Sequence, residues 1–242
     1  MKKSLLLIFI TLIFCLSFLM AAKMGSDTIL SIKNRGQVDV TGFAKQQITS
    51  DLGIFQADFE IRQINLESGY LELSKNREVV LKFLEQYHFE PSDIYMSSVN
   101  IEEKYILNDR GIQTNQLEFY ILKQSFTIQS ANVQKISKLS TEISGLLSSG
   151  IKIVVYAPQY LYSKMDDLKV EMIGRATANA TERAQIIAAK GKFKLGSIAS
   201  VRVGVFQITP MNSTEVNDYG ILDTTSIEKE IKSVVQVNYF VR

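Results

Sequence analysis

Tryptophan is absent, histidine and cysteine occur once each, and only three of the 242 residues are proline. Each shortage removes a class of chemistry. With His88 alone, one chain has no histidine pair, no Ser-His-Asp constellation and no multi-histidine metal centre. It stands in Gln86-Tyr87-His88-Phe89-Glu90-Pro91, where a surface or capping role is expected. Cys15 sits in an apolar run behind Leu12-Ile13-Phe14, without the small residues that precede a lipidated cysteine, and reads as a packed hydrophobe. No other thiol follows it, so disulfides cannot stabilise the rest, and thiolate zinc or copper sites are excluded there. An excess of one charge is missing as well. Without Lys2 and Lys3 the chain carries 25 basic and 25 acidic residues, a balance that argues against nucleic-acid binding.

What is present at the start is an export signal. Met1-Lys2-Lys3-Ser4 precedes eighteen uncharged residues, Leu5 to Ala22, which end at Lys23. As a helix this run reaches about 27 Å at 1.5 Å per residue, against a hydrocarbon core of about 30 Å. Met20-Ala21-Ala22 meets half of a signal peptidase's requirement, so cleaved signal and retained anchor both stand. The basic start keeps that end in the cytoplasm and sends the remainder across. The expected layout is leader 1–22, linker 23–35 and an exported domain 36–242, the last divisible into intertwined halves 36–130 and 131–242.

Periodicity supplies the elements. Val38, Val40, Gly42 and Ala44 alternate with polar residues, as do Phe55, Ala57, Phe59 and Ile61, predicting two half-buried strands with a turn at Asp51-Leu52-Gly53. Leu66, Tyr70, Leu73, Val80, Leu84 and Tyr87 predict an amphipathic helix that stops before Pro91. Strands follow at 94–107 and 117–129 around the hairpin signal Asn108-Asp109-Arg110-Gly111. In the second, the apolar phase changes, which a bulge near Lys123 or burial on both faces accommodates. A helix through Val133, Ile136, Leu139, Ile143 and Leu146 or Leu147 ends at Gly150, and a short strand covers 151–156. The third helix, about 163–190, carries Leu168, Met172, Ala176, Ala180, Ala184 and Ala188 at steps of four, a stripe suited to close packing. Strands at 198–208 and 233–242 finish the chain. The fold class is α+β, mainly antiparallel sheet with helices packed on it, in the order ββαββ-αβαββ.

Chemical motifs are scarce. Gly191-Lys192 lacks the upstream glycine of a phosphate loop, and no G-x-S-x-G elbow occurs. Glu102-Glu103 and Asp166-Asp167 are adjacent pairs that read as solvated charge. Tyr156, Tyr160 and Tyr162 form an aromatic stretch suited to a sugar or partner, or to a packed sheet edge. The sequons at Asn179 and Asn212 are short enough to arise by chance, and the first falls in a helix. More than twenty mostly polar residues separate the last two strands, and loops of that length tend to be functional or disordered. The segment 209–227, with Asn212, Asp218 and Tyr219, is therefore the candidate site for an envelope peptide, glycan or protein partner. No catalytic, cofactor-binding or metal-binding residue is assigned; a hydrolase with an unrecognised serine or carboxylate site is the enzymatic alternative.

From Leu168 to Val201 the run LKVEMIGRATANATERAQIIAAKGKFKLGSIASV, with alanines along a helix followed by Leu195-Gly196 and a strand, resembles the signature of the SIMPL-domain family. Val38-Asp39-Val40-Thr41-Gly42 resembles the family's opening, and Ser226 to Ile231 its end. Gly204 to Pro210 through Asn217-Asp218-Tyr219-Gly220 is similar to one bacterial branch. The resemblance spans nearly all of the exported part. It implies a bacterial envelope protein that self-associates, has no established enzymatic activity and supplies no catalytic residues. Any link to stress tolerance is then indirect.

Overall fold

The computed structural model describes residues 17–24, 26 and 36–242. Residues 17–24 are helical and exposed, whereas most of the leader run from Leu5 and most of the 23–35 linker lie outside the described residues. Among the described residues no helix is long and apolar enough to cross a membrane. Residues 36–242 are α+β with two antiparallel-rich sheets, as the periodicities predict. They fall into two compact units, one built from residues to Ala44 with Val170–Val205 and Ser233–Arg242, the other from Lys45–Lys169 with Phe206–Lys232.

The larger unit is organised on strand β2 (Leu52–Gln63). Strand β5 (Gln113–Ser130) runs antiparallel to it from the Gly53–Ser130 pair to the Gln63–Tyr120 pair. The other edge of β2 is shared by β6 (Lys152–Val155) and β7 (Gln159–Leu161), and the other edge of β5 by β3 (Ile94–Met96) and β4 (Asn100–Leu107). Helices α1 (Leu66–Glu85) and α2 (Val133–Glu142) start where Asn65 and Asn132 accept hydrogen bonds from Ser68 N (2.9 Å) and Lys135 N (3.1 Å). Phe55, Phe59, Leu122 and Phe126 from the sheet form the core with Leu73, Val80 and Leu84 of α1 and Ile136 and Leu139 of α2. A 3-10 segment, Ile143–Ser149, closes at Gly150, whose φ of 79° is the left-handed cap its position requires. This unit also holds β9 (Gln207–Pro210) and β10 (Ile221–Leu222), paired in parallel.

In the smaller unit, β8 (Leu195–Val203) runs antiparallel to the end of β11 (Glu228–Val241), and α3 (Met165–Gly191), which belongs to this unit from Val170 onward, buries its alanine face. Strand β1 (Gln37–Thr49) neighbours β11.

Several expectations are corrected. The strands at 38–48 and 55–61 form no hairpin, because β1 and β2 belong to different sheets. Ser50 and Asp51 link them, and their amides bond outward to Ile227 O (2.9 Å) and Leu161 O (3.0 Å) instead of closing a turn. The strand expected at 94–107 is two, separated where Ser97 bonds to Ser125 and Gln124. The β5 irregularity falls near Glu118 rather than Lys123: β2 pairs without interruption past Lys123, and the shift lies between the Lys104–Phe119 and Tyr105–Leu117 pairs with β4. The strand expected at 198–208 breaks at Gly204, where β8 gives way to β9; both pair with β11. At the start of α1, Gly69 rather than Tyr70 faces the core; of the two alternatives in the 3-10 segment, Leu146 is the buried one.

Candidate functional site

The segment after β9 is tied down by hydrogen bonds rather than by an apolar core. Gln207, buried on β9, grips Asn217 from both sides: its Nε2 donates to Asn217 O at 2.7 Å and its Oε1 accepts from Asn217 N at 3.3 Å. Lys232 Nζ donates to Ser213 O at 2.6 Å. Asp223 Oδ1 accepts from Thr225 N and Oγ1, both at 2.8 Å, and Tyr160 N donates to Thr224 O at 2.7 Å. The left-handed backbone at Asn212 and Gly220 completes the path.

Beneath it Lys229 Nζ lies 3.4 Å from Asp223 Oδ2, and both side chains are buried. Burial by itself raises the Asp223 carboxyl, but hydrogen bonds from Thr225 and Ser226 and the Lys229 charge outweigh it and lower the value to about 2. Burial also pushes Lys229 down, opposed by Asp223. Nearby, Glu230 takes Lys232 at 3.2 Å and Lys45 at 3.5 Å.

On this frame Asn212, Asp218 and Tyr219 are all exposed, Tyr219 to 95%. The loop therefore holds an aromatic ring outward on an ordered backbone. The other predicted group has the opposite character. Ala176, Ala180, Ala184 and Ala188 are buried, and at Gly42 of β1 an added Cβ would stand 2.6 Å from Ala180 N and 2.7 Å from Ala180 Cβ. Asn179 Oδ1 accepts from Phe43 N at 3.1 Å, and Arg183 donates to Thr41 O at 2.9 Å. The stripe is consumed by the chain's own strand and offers no outer surface. The first sequon's side-chain oxygen is engaged by the same contact.

A cluster that pattern reading missed lies on the far face of β2. Asp58 is only 2% exposed, with Lys123 Nζ at 2.5 Å and the Tyr156 hydroxyl donating at 2.7 Å, both to Oδ2. Its Oδ1 has no hydrogen-bond partner. Desolvation raises the carboxyl, yet the bonds from Lys123 and Tyr156 prevail and hold it below the usual range. The same contacts raise Lys123 and Tyr156. Alternation marked Asp58 as a solvent-face residue; only the β5 register, which sets Ser125 opposite it with Lys123 alongside, reveals the pairing.

Two recesses accompany these groups. An apolar groove of about 280 Å³ is lined by Leu81, Glu85, Phe89, Pro91, Ile94 and Met96 in the larger unit. A polar one of about 210 Å³ is lined by Asp39, Ser200, Arg202, Gln236 and Asn238 in the smaller. His88, at φ 51° just past α1, gives its carbonyl to Lys135 Nζ at 3.0 Å. Among the described residues no group of three or more His, Cys, Asp or Glu side chains is placed to hold a metal ion.

A comparison with curated proteins gave no match. The family model described as SIMPL, protein of unknown function (DUF541), matches residues 38–239, from the second residue of β1 almost to the end of β11. With all three long helices and all but the outermost residues of the two sheets inside the matched span, the chain belongs to the SIMPL family.

Proposed function

We propose that this protein is a non-enzymatic component of the cell envelope, exported to the outer side of the cytoplasmic membrane, where it assembles into a homo-oligomer and serves envelope or stress tolerance indirectly. The observation that carries the assembly reading is β8. It pairs only with β11 among the described strands, and its in-phase Val201 and Val203 are 48% and 44% exposed, with Val205 continuing the row. An unpaired, β-branched edge is a template for strand addition; β8 carries no proline and a single charge, Arg202. A second copy satisfies it. The buried alanine stripe plays no part, so strand edges carry the assembly.

The non-enzymatic reading is supported by the titratable clusters. Asp58 and Asp223 are held as carboxylates against lysines, and Tyr156 is held protonated, so neither cluster exchanges a proton near neutral pH as a general acid or base must. Export is supported by the leader, Lys2-Lys3 followed by Leu5 to Ala22.

Sedimentation of the purified full chain tests assembly: an oligomer is expected, and Val203→Lys, which puts a charge on the edge, is expected to shift it towards monomer. A strict monomer at high concentration sinks the reading. Alkaline phosphatase fused after Arg242 tests export; an inactive, cytoplasmic fusion refutes it.

The exposed Tyr219 favours a second reading, a binding module that captures an envelope peptide, glycan or protein on the 209–227 loop. Tyr219→Ala should then abolish capture of that partner with the fold unchanged, and undiminished capture sets the reading aside.

A further inference from the structure

Strand β5 outruns its sheet. Its pairing with β2 ends at Tyr120, whereas its pairing with β4 continues to Gln113. The seven residues Gln113–Phe119, about 23 Å at 3.3 Å per residue, therefore form with β4 a two-stranded arm. A two-stranded ribbon by itself is marginally stable in water. This one carries Leu107 and Ile112 at its tip, 61% and 59% exposed, around the tight turn Asn108–Gly111. Exposed aliphatic residues on an unsupported ribbon call for a partner that covers them.

The apolar groove is the complementary surface. Its wall is β3, whose Ile94 and Met96 pair with Ile128 and Phe126. That lies thirteen to fifteen residues along β5 from Gln113, about 45 Å from the tip. Tip and groove thus stand at opposite ends of one strand, within one compact unit, and a single copy cannot join them. Charge matches apolarity. Glu85 lines the groove and Arg110 sits in the tip turn, and neither is ion-paired with another described residue.

We infer that the β4–β5 arm of one copy docks its tip, Leu107, Arg110 and Ile112, into the Leu81–Met96 groove of a second copy, with Arg110 meeting Glu85. The inference rests on the assembly reading above and adds a contact distinct from the β8 edge. Because the two halves of the contact differ and lie apart, it is heterologous: copies join head to tail, closing into a ring or continuing as a filament.

Cross-linking of the full chain carrying Cys15→Ser tests it, since no other cysteine remains. One preparation carries Ile112→Cys, the other Met96→Cys. A disulfide-linked dimer is expected on mixing and not from either alone. Arg110→Glu in the first or Glu85→Arg in the second should lower its yield about tenfold, and both reversals together should restore it. No mixed disulfide, or a yield indifferent to charge reversal, overturns the arm contact, as does a groove that takes up a fatty acid while the arm substitutions leave assembly unchanged. A wild-type chain that sediments as a monomer overturns the assembly reading itself, whereas an intact oligomer without the 112–96 cross-link overturns only the arm.

Discussion

Gly42→Ala places one methyl group where the structure has no room for it. The new Cβ would lie 2.6 Å from Ala180 N and 2.7 Å from Ala180 Cβ, and closer still to the Ala176 carbonyl oxygen. Two of these are backbone atoms of α3, so no flexible side chain can turn aside. Relief needs roughly 1.5–2 Å of separation between β1 and α3 to regain ordinary contact near 3.5–4 Å. Overpacking of this kind costs about 1–3 kcal/mol. The shift also stretches the Phe43–Asn179 and Thr41–Arg183 hydrogen bonds, at about 1 kcal/mol each. The expected loss is about 3–5 kcal/mol, or roughly 6–20 °C in Tm for a domain of this size. Urea denaturation followed by circular dichroism measures it. Gly174→Ala is the control on the same helix: its Cβ would meet nothing within 4 Å, and helix propensity predicts a gain of about 0.5–1 kcal/mol. If Gly42→Ala matches the wild type in stability, the close approach of β1 to the alanine stripe is wrong.

Asp223→Asn should cost about 3 kcal/mol by leaving Lys229 buried without its counter-charge, and Asp223→Asn with Lys229→Met should recover most of it. The depressed Asp223 carboxyl contributes stability that is complete above its unfolded value near pH 4 and is lost as pH falls towards about 2, an amount on the order of 2 kcal/mol. Acid titration of the wild type against the double variant reads this directly; parallel curves would refute it. Asp58→Asn should cost about 2–3 kcal/mol at neutral pH, because Lys123 and Tyr156 lose a charged acceptor, with the difference from wild type shrinking in acid as Asp58 itself protonates. A difference independent of pH would count against the ion pair.

Much of the fold was legible because it rests on local periodicity. Phe55, Ala57 and Phe59 at period two, Val80 and Leu84 at helical spacing, and alanines every four residues each identify an element and the face it buries. The turn at Asn108–Gly111 and the left-handed cap at Gly150 were equally local. Asp58 was not legible, because alternation assigned it to water and only its neighbours on β5 and β6 enclose it. Nor was the fate of the 209–227 loop, which Gln207 and Lys232 organise across the chain.

The sequence alone thus determined composition-level facts: no disulfide or multi-histidine chemistry, balanced charge once Lys2 and Lys3 are set aside, an α+β pattern, and a helix whose alanine face demands a close neighbour. Tertiary structure decided which neighbour that is, Gly42 of β1, and that β1 and β2, adjacent in sequence, enter different sheets. It also decided which apolar residues stay uncovered, Val201 and Val203 on β8 and Leu107 and Ile112 on the β4–β5 arm. The physical reason is common to all of these. Periodicity states which face of an element is apolar, whereas strand partners and register, set by contacts between residues distant in the chain, decide whether anything covers it.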